Sequence, residues 1–175
     1  NFFNVVHSGR LKHKITYIKN SFSKSTEKKR NGELNKFLRE GGEVKDVHDF
    51  AIEDIARFYI TLFQDRWQNK LECFSYSDLC DTLKNLHHLL FGCVLIKNGE
   101  VCALDIIFKS EAKDFIYFDD INGGYSSAYP EYNLGTILLW ANIQKARELC
   151  QDKQKVFRFS LGIYLEHWSY KKQWC

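Results

Sequence analysis

Two adjacent aspartates, Asp119 and Asp120, end the apolar run Phe115-Ile116-Tyr117-Phe118, and the pair Gly123-Gly124 follows them. A carboxyl set against an apolar wall keeps its proton to higher pH than usual, which suits it to deprotonate an amine. Successive strand residues point to opposite faces, so one aspartate is expected in a cleft and the other toward solvent or a helix. The competing reading is a strand-end turn in which the carboxylates serve the glycine backbone. Near the chain end stand Tyr170 and Lys171. A phenol there can protonate a leaving thiolate, and an ammonium can hold a phosphate or an oxyanion; a surface lysine and an amphipathic tyrosine explain the same pair. Between the two groups, Asn133-Leu134-Gly135 opens a helix whose first N–H groups and dipole form an anion site by default. An ordinary capped helix accounts for those residues equally well. The candidate catalytic residues are therefore Asp119, Asp120, Tyr170 and Lys171. Gly123, Gly124, Asn133, Leu134 and Gly135 are the candidates for holding a phosphate-bearing donor. His167 is a further candidate, whereas His87-His88 reads as a helix end and Trp168 and Trp174 as packing residues.

The elements that must position these residues follow from periodicity. Val5 to Ile18 alternates loosely, as a strand or two would. Thr26 to Glu40 carries Leu34, Phe37 and Leu38 at helical spacing and stops at Gly41-Gly42, where glycine takes the left-handed position without steric cost. Glu43 to His48 reads as a short strand. Asp49 is the expected N-cap of a helix from Phe50 to Trp67, and a third helix is expected after Ser77. Phe91 to Ile96 and Val101 to Phe108 flank Asn98-Gly99, the sequence of a two-residue type I′ hairpin. A polar turn at Lys109 to Asp114 leads to a strand over Phe115 to Ile121, then a loop holding Gly123, Gly124 and Pro130. A long helix from Asn133 to Cys150, a strand over Lys155 to Leu161 and a short helix from Leu165 to Trp174 complete the chain. Helices first, then an antiparallel meander, then a helix and one more strand predict an α/β fold, a mixed, mostly antiparallel sheet flanked by helices. Residues 1–24 are read as a strand and loop ending a preceding region, and 25–175 as the domain.

Composition removes several classes. The 175 residues carry 25 Lys and Arg against 22 Asp and Glu, and a net charge of +3 does not argue for nucleic acid. Basic residues crowd the first third, including Lys24, Lys28, Lys29, Arg30, Lys36 and Arg39. Such a face meets phosphates, anionic lipid or tRNA, or is simply a solvated helix face. No helix-turn-helix spacing supports a DNA-binding regulator, and no specific DNA binding is expected. The six cysteines form no C-x-x-C pair and have no histidine at metal spacing, so neither a metal site nor a disulfide framework is expected. No apolar run approaches membrane-spanning length and no signal peptide is visible. The chain begins at Asn1 and contains no Met, which reads as a piece of a longer protein.

Strand, glycines, helix, strand and then Tyr170-Lys171-x-x-Trp174 resemble the donor half of an acyltransferase of the GNAT superfamily. Where that superfamily carries Gln/Arg-x-x-Gly-x-Gly/Ala, this chain has Tyr129-Pro130-Glu131-Tyr132-Asn133-Leu134-Gly135. The basic helix, Gly41-Gly42-Glu43-Val44, and Ala56-Arg57-Phe58-Tyr59 running to Asp65-Arg66-Trp67 resemble the GNAT-like domains of FemAB/CelD-type acyltransferases. So does the ending Phe159-Ser160-Leu161-Gly162 to Trp174. Within that group the chain looks most like the macrophage-induced antimicrobial-peptide-resistance proteins of Gram-negative bacteria. The resemblance covers most of residues 25–174 and implies further strands past Trp174, whereas this chain stops at Cys175.

The resemblance implies transfer of an acyl or aminoacyl group to an amine, linked to resistance to cationic antimicrobial peptides. Acyl-CoA would be a co-substrate, or aminoacyl-tRNA the donor. Asp119 or Asp120 would be the base, Tyr170 the acid and Lys171 a phosphate or oxyanion contact. A cytoplasmic protein, peripheral on the inner membrane through contact with anionic lipid, is the implied setting. The alternative is a non-catalytic module of the same fold that docks at the inner membrane or on a protein partner.

Overall fold

The computed structural model describes residues 15–175 except 69 and 164–165, with the side chains of 166–169 also outside the description. His167 and Trp168 therefore lie outside the described side chains, as does most of the expected Val5 to Ile18 strand. Among the described residues seven strands form one sheet: β1 (Ile15–Tyr17), β2 (Gly42–Asp46), β3 (Leu90–Phe91), β4 (Cys93–Lys97), β5 (Glu100–Glu111), β6 (Phe115–Tyr125) and β7 (Val156–Ile163). Their order is β1-β7-β6-β5-β4-β2, with β3 paired to β5. Every pair is antiparallel except β6 with β7. Helices α1 (Lys24–Arg39) and α4 (Leu134–Asp152) cover one face, and α2 (Ile52–Trp67) and α3 (Tyr76–Asn85) the other. A last 3-10 segment, Glu166–Gln173, follows β7. This is the mixed, mostly antiparallel α/β sheet expected, with β1 of the first 24 residues joined to it.

Local chemistry explains most boundaries. The Ser23 hydroxyl accepts from the Thr26 N–H at 3.2 Å and starts α1, and Gly41 at φ +85° ends it. Phe37 then folds its ring over Gly42, where a Cβ would stand 2.4 Å from it. Asn98 and Gly99 take φ +54° and +81°, the conformation a type I′ hairpin requires between β4 and β5.

Four expected boundaries shift for identifiable reasons. Asp49 does not cap α2: it closes a capping box with Asp46 around the 3-10 turn Val47–Asp49, and Ala51 takes the N-cap position. Ser75, not a residue after Ser77, caps α3 by accepting from the Asp78 N–H. The polar stretch from Lys109 is strand as far as Glu111, because its backbone stays paired with β6 up to Glu111 opposite Ile116, and the Glu111 carboxylate is matched by Lys153 and Lys155. Gly123 and Gly124 are not in a loop. They are strand residues of β6, paired opposite Asp105 and Leu104.

The two faces hold separate cores. Tyr59, Leu62, Leu83, Val94 and Leu104 pack between α2, α3 and the sheet. Phe118, Phe159, Ile107, Trp140 and Trp174 pack beneath α4, and Phe118 stacks on Phe159 at 5.7 Å. Gly32 is different: it sits on the solvent side of α1 with no atom within 4 Å of the Cβ position. Gly32→Ala is therefore expected to raise stability by about 0.5–1 kcal/mol, read as a higher urea midpoint at unchanged m-value.

Candidate active site

The parallel pair β6–β7 runs in register from Phe115 opposite Val156 to Asp119 opposite Ser160, and there it parts. Strand β6 continues beside β5 as far as Tyr125, while β7 turns toward β1, with Ile163 opposite Ile15. Both strands are irregular at the parting. Ile107 pairs with Asp120 but Ile106 pairs with Asn122, so Ile121 is an extra, exposed residue. Gly162 takes φ +71°. A bulge bends its strand and re-aims the side chains beside it. The result is a cleft of about 630 Å³ between the separating strands, closed by the first turn of α4, the end of α2 and the last 3-10 segment.

Seven of the nine candidate residues line this cleft: Asp119, Asp120, Gly123, Asn133, Gly135, Tyr170 and Lys171. Both aspartates do so, although they point to opposite faces of β6, because the split exposes both faces. Two candidates lie elsewhere. Leu134 is buried beneath α4 in the core with Phe37 and Leu95. Gly124 faces α2, where a Cβ would stand 2.5 Å from backbone atoms of Leu62 and Phe63. Lys171 is buried, and its ammonium donates to the carbonyls of Leu161 and Ile163 at the end of β7. It thus holds the bulged end of that strand. The space a Cβ would take at Gly135 is filled by the Tyr125 ring at 3.0 Å, so this glycine admits an aromatic ring against the first turn of α4.

Sequence reasoning missed Arg66, Trp67, Asp105 and Tyr125. Arg66 Nη1 donates to the Gly123 carbonyl at 2.9 Å, and its guanidinium lies 4.8 Å from the ring centroids of both Trp67 and Tyr125. Asp65, beside it, accepts from the Ser127 N–H at 2.8 Å and the Ser127 hydroxyl at 2.7 Å, fixing the loop after β6. The Asp105 carboxyl occupies the notch left by Gly123, 1.8 Å from where a Cβ would be. Asn142, fully buried, accepts from the Cys93 N–H at 2.7 Å and turns its amide nitrogen to Asp105 at 3.4 Å. One signal was available: Asp105 is the lone charge in the apolar run Val101 to Phe108. The far wall is tied to α1, since Arg30 donates to Gln173 at 2.7 Å and lies over the Trp174 ring at 4.8 Å.

With this geometry in place, the comparison with known proteins is decisive for the family. The Mig-14 family model matches residues 4–175. The chain belongs to the Mig-14 family. That is the family expected from the sequence within the FemAB/CelD-like group. No curated protein matches this Mig-14 chain. Two similar solved structures are L-PGS from Bacillus licheniformis and a C-terminal domain assigned to a lysylphosphatidylglycerol synthetase of Agrobacterium fabrum. The first has a TM-score of 0.59 at 18% identity, covering 86% of the Mig-14 chain and 44% of its own. The second has 0.60 at 15%, covering 86% and 46%. A protein described as a possible acetyltransferase of Clostridium difficile 630 aligns at 0.52 and 14%, over 75% and 86%. At these identities the likeness is one of fold: the Mig-14 chain has the GNAT acyltransferase fold. It spans less than half the length of the two synthetase structures.

The electrostatics of the Mig-14 cleft are set by burial. Burial pushes the Asp120 carboxyl up to about 7; Lys171 and Arg66 oppose that rise and Asp119 adds to it. Burial also holds Asp105 well above the usual carboxylate range, with the charge of Asp120 adding and Arg66 opposing. Two like charges this close do not both ionise cheaply, so the pair retains a proton across neutral pH. Burial raises the Tyr170 phenol and lowers the Lys171 ammonium. Among the described residues no cluster could hold a metal ion, and no helix is long and apolar enough to cross a membrane.

Proposed function

We propose that this Mig-14 domain transfers an acyl or aminoacyl group to an amine. The observation that carries this reading is the parting of β6 from β7, which opens one cleft onto Asp120, Tyr170 and the first turn of α4 together. The acyl donor lies in the parting, with its anionic part toward Asn133 and Thr136. Asp120 has no side-chain hydrogen bond to another described residue and takes a proton from the acceptor nitrogen. The amine attacks the acyl carbonyl, a C–N bond forms, and the bond to the leaving sulfur or oxygen breaks. Tyr170, whose phenol is protonated at neutral pH, gives a proton to the leaving group and is reprotonated from solvent, to which Asp120 releases its own proton. Lys171 holds the end of β7 and contributes charge near Asp120.

The likeness to two lysylphosphatidylglycerol synthetase structures supports an aminoacyl donor beside acyl-CoA, and a lipid as an alternative to an amine as acceptor. Membership of the Mig-14 family supports the resistance to cationic antimicrobial peptides that the resemblance implied. A second reading, a non-catalytic module of the same fold, is favoured by the Tyr125 ring against Gly135. Calorimetric titration with coenzyme A, acetyl-CoA and a long-chain acyl-CoA separates these. Saturable binding of any of them supports the enzyme. No binding to these three or to an aminoacyl-tRNA, by a folded chain, assigns it to the non-catalytic module.

A further inference from the structure

The triplet Asp65-Arg66-Trp67 closes α2, and its outer members have clear tasks: Asp65 fixes the loop at Ser127, and Trp67 walls the cleft. Arg66 is the member whose arrangement exceeds what packing needs. Its guanidinium lies 4.8 Å from the centroids of two aromatic rings and donates to one backbone carbonyl, so three partners hold its position. That carbonyl belongs to Gly123, the residue whose missing side chain makes room for the Asp105 carboxyl. A planar guanidinium stacks on aromatic faces and bonds through its edge at once, which an ammonium does not.

The ionisable groups facing the cleft are few. Strand β5 supplies Asp105, β6 supplies Asp119 and Asp120, α2 supplies Arg66, and the last 3-10 segment supplies Tyr170 and Lys171. Among the described residues β7 and α4 supply none. Among the described residues three carboxyls thus face two cations. Lys171, which also donates to the Leu161 and Ile163 carbonyls, is the larger of the two charges that offset the burial of Asp120, and Arg66 is the second. Asp105 and Asp120 are diagonal neighbours on one face of the sheet, since Asp105 pairs opposite Gly123 and Asp120 opposite Ile107. An acidic pair walled by apolar side chains needs a fixed counter-charge for one member to ionise near neutral pH.

We propose that Arg66 is a positioning residue for Asp120: clamped by Trp67, Tyr125 and the Gly123 carbonyl, it is a fixed cation that, together with Lys171, keeps Asp120 ionised as the acceptor amine arrives. This rests on the acyl-transfer reading for its catalytic meaning, but the charge relation itself is measurable without substrate. Removing the cation raises the proton affinity of the carboxyl pair. A rise of one pH unit from about 7 lowers the ionised fraction of Asp120 at pH 7 from half to about a tenth.

The test is a carboxyl-carbon NMR titration of the intact chain labelled at aspartate, with the Asp120 signal assigned by its loss in Asp120→Asn. The pair titrates in two apparent steps, the lower near pH 7. In Arg66→Met that lower midpoint is expected to rise by about one unit. Arg66→Lys, which keeps the charge without the clamp, is expected to move it by less than half as much. Should Arg66→Met fail to fold, Arg66→Gln removes the charge and keeps a donor for the Gly123 carbonyl. A purely structural arginine would lower the melting temperature and leave the midpoint where it is, and an unmoved midpoint in a folded, charge-removing variant overturns the proposal. A shifted midpoint in a chain that transfers no acyl or aminoacyl group overturns the functional reading and leaves the control of Asp120 by Arg66 standing.

Discussion

Asp120→Asn is expected to cut acyl transfer by at least about 100-fold while the chain stays folded, because a positioned general base contributes roughly 10²–10⁴ in rate. The substitution keeps shape and removes the proton acceptor. Asp120 makes no side-chain hydrogen bond to another described residue, so no buried partner is orphaned. Binding of a donor in the parting of β6 and β7 should survive, which separates lost chemistry from a lost site. The pH dependence carries a second, independent signature. In the unaltered chain the carboxyl is raised to about 7, so the rate falls as pH drops below that value. In the unfolded chain the same carboxyl titrates near 4, as an ordinary aspartate does. Between about pH 4 and 7 the native state therefore binds a proton that the unfolded state has lost. The ionised Asp120 thus lowers stability progressively as pH rises through that window. Asp120→Asn removes this penalty. It should melt at a higher temperature than the unaltered chain at pH 8, with the gap closing toward pH 4. Loss of turnover with a gain in stability is what a residue kept for chemistry predicts. Unchanged turnover in the variant would sink the assignment of Asp120 as base, and a lower melting temperature at pH 8 would show that its carboxylate is structural.

The residues carrying this argument differ in how far they could be read in advance, and the differences follow from the range of the forces involved. The hairpin at Asn98-Gly99 is local: two residues with positive φ decide it, and it appears where expected. Helix α4 follows from the spacing of Ile137, Leu138, Ala141 and Ala146, and the mixed sheet follows from the order of elements. Gly123 and Gly124 show where local reasoning fails. Adjacent glycines suggest a loop because glycine is permissive, but here each is needed for its small size in a strand. The neighbouring strand places the Asp105 carboxyl at Gly123, and α2 places its backbone at Gly124. Neither approach is visible without knowing which strands pair. The bulge at Ile121 is of the same kind, since it is a property of register with β5. Arg66 and Asp105 stand far from Asp120 in the chain and line the same cleft only because α2 and β5 both border β6. Conversely, Tyr170 and Lys171 stand out in the sequence by their place after the last strand and by the Tyr-Lys-x-x-Trp ending, and both line the cleft. The burial of Lys171 and its bonds to Leu161 and Ile163 depend on the bulged end of β7 and could not be read in advance.

The close approach at Gly124 leads to the largest stability effect expected of a single methyl group here. In Gly124→Ala the new Cβ would stand 2.5 Å from the Leu62 carbonyl carbon and 2.5 Å from the Phe63 nitrogen. Those are backbone atoms in the middle of α2, so no side-chain rotation relieves the contact. The helix must lift from β6, and the packing of Tyr59, Leu62 and Phe63 against Leu104 and Ile106 loosens with it. Overpacking of this kind costs about 2–3 kcal/mol, which for a chain of this length lowers the melting temperature by about 5–10 °C. The effect also reaches the cleft, because the last turn of α2 carries Asp65 and Arg66, which hold Ser127 and the Gly123 carbonyl from the side that moves. Gly124→Ala should therefore raise the apparent midpoint of Asp120 as well, in the same direction as removal of the Arg66 charge but by less. Gly32→Ala is the internal control, since it adds the same methyl group where nothing lies within 4 Å and should shift stability the opposite way. Equal melting temperatures for the two variants would mean that α2 does not rest on β6 as closely as described, and the placement of Arg66 over the cleft would fall with it.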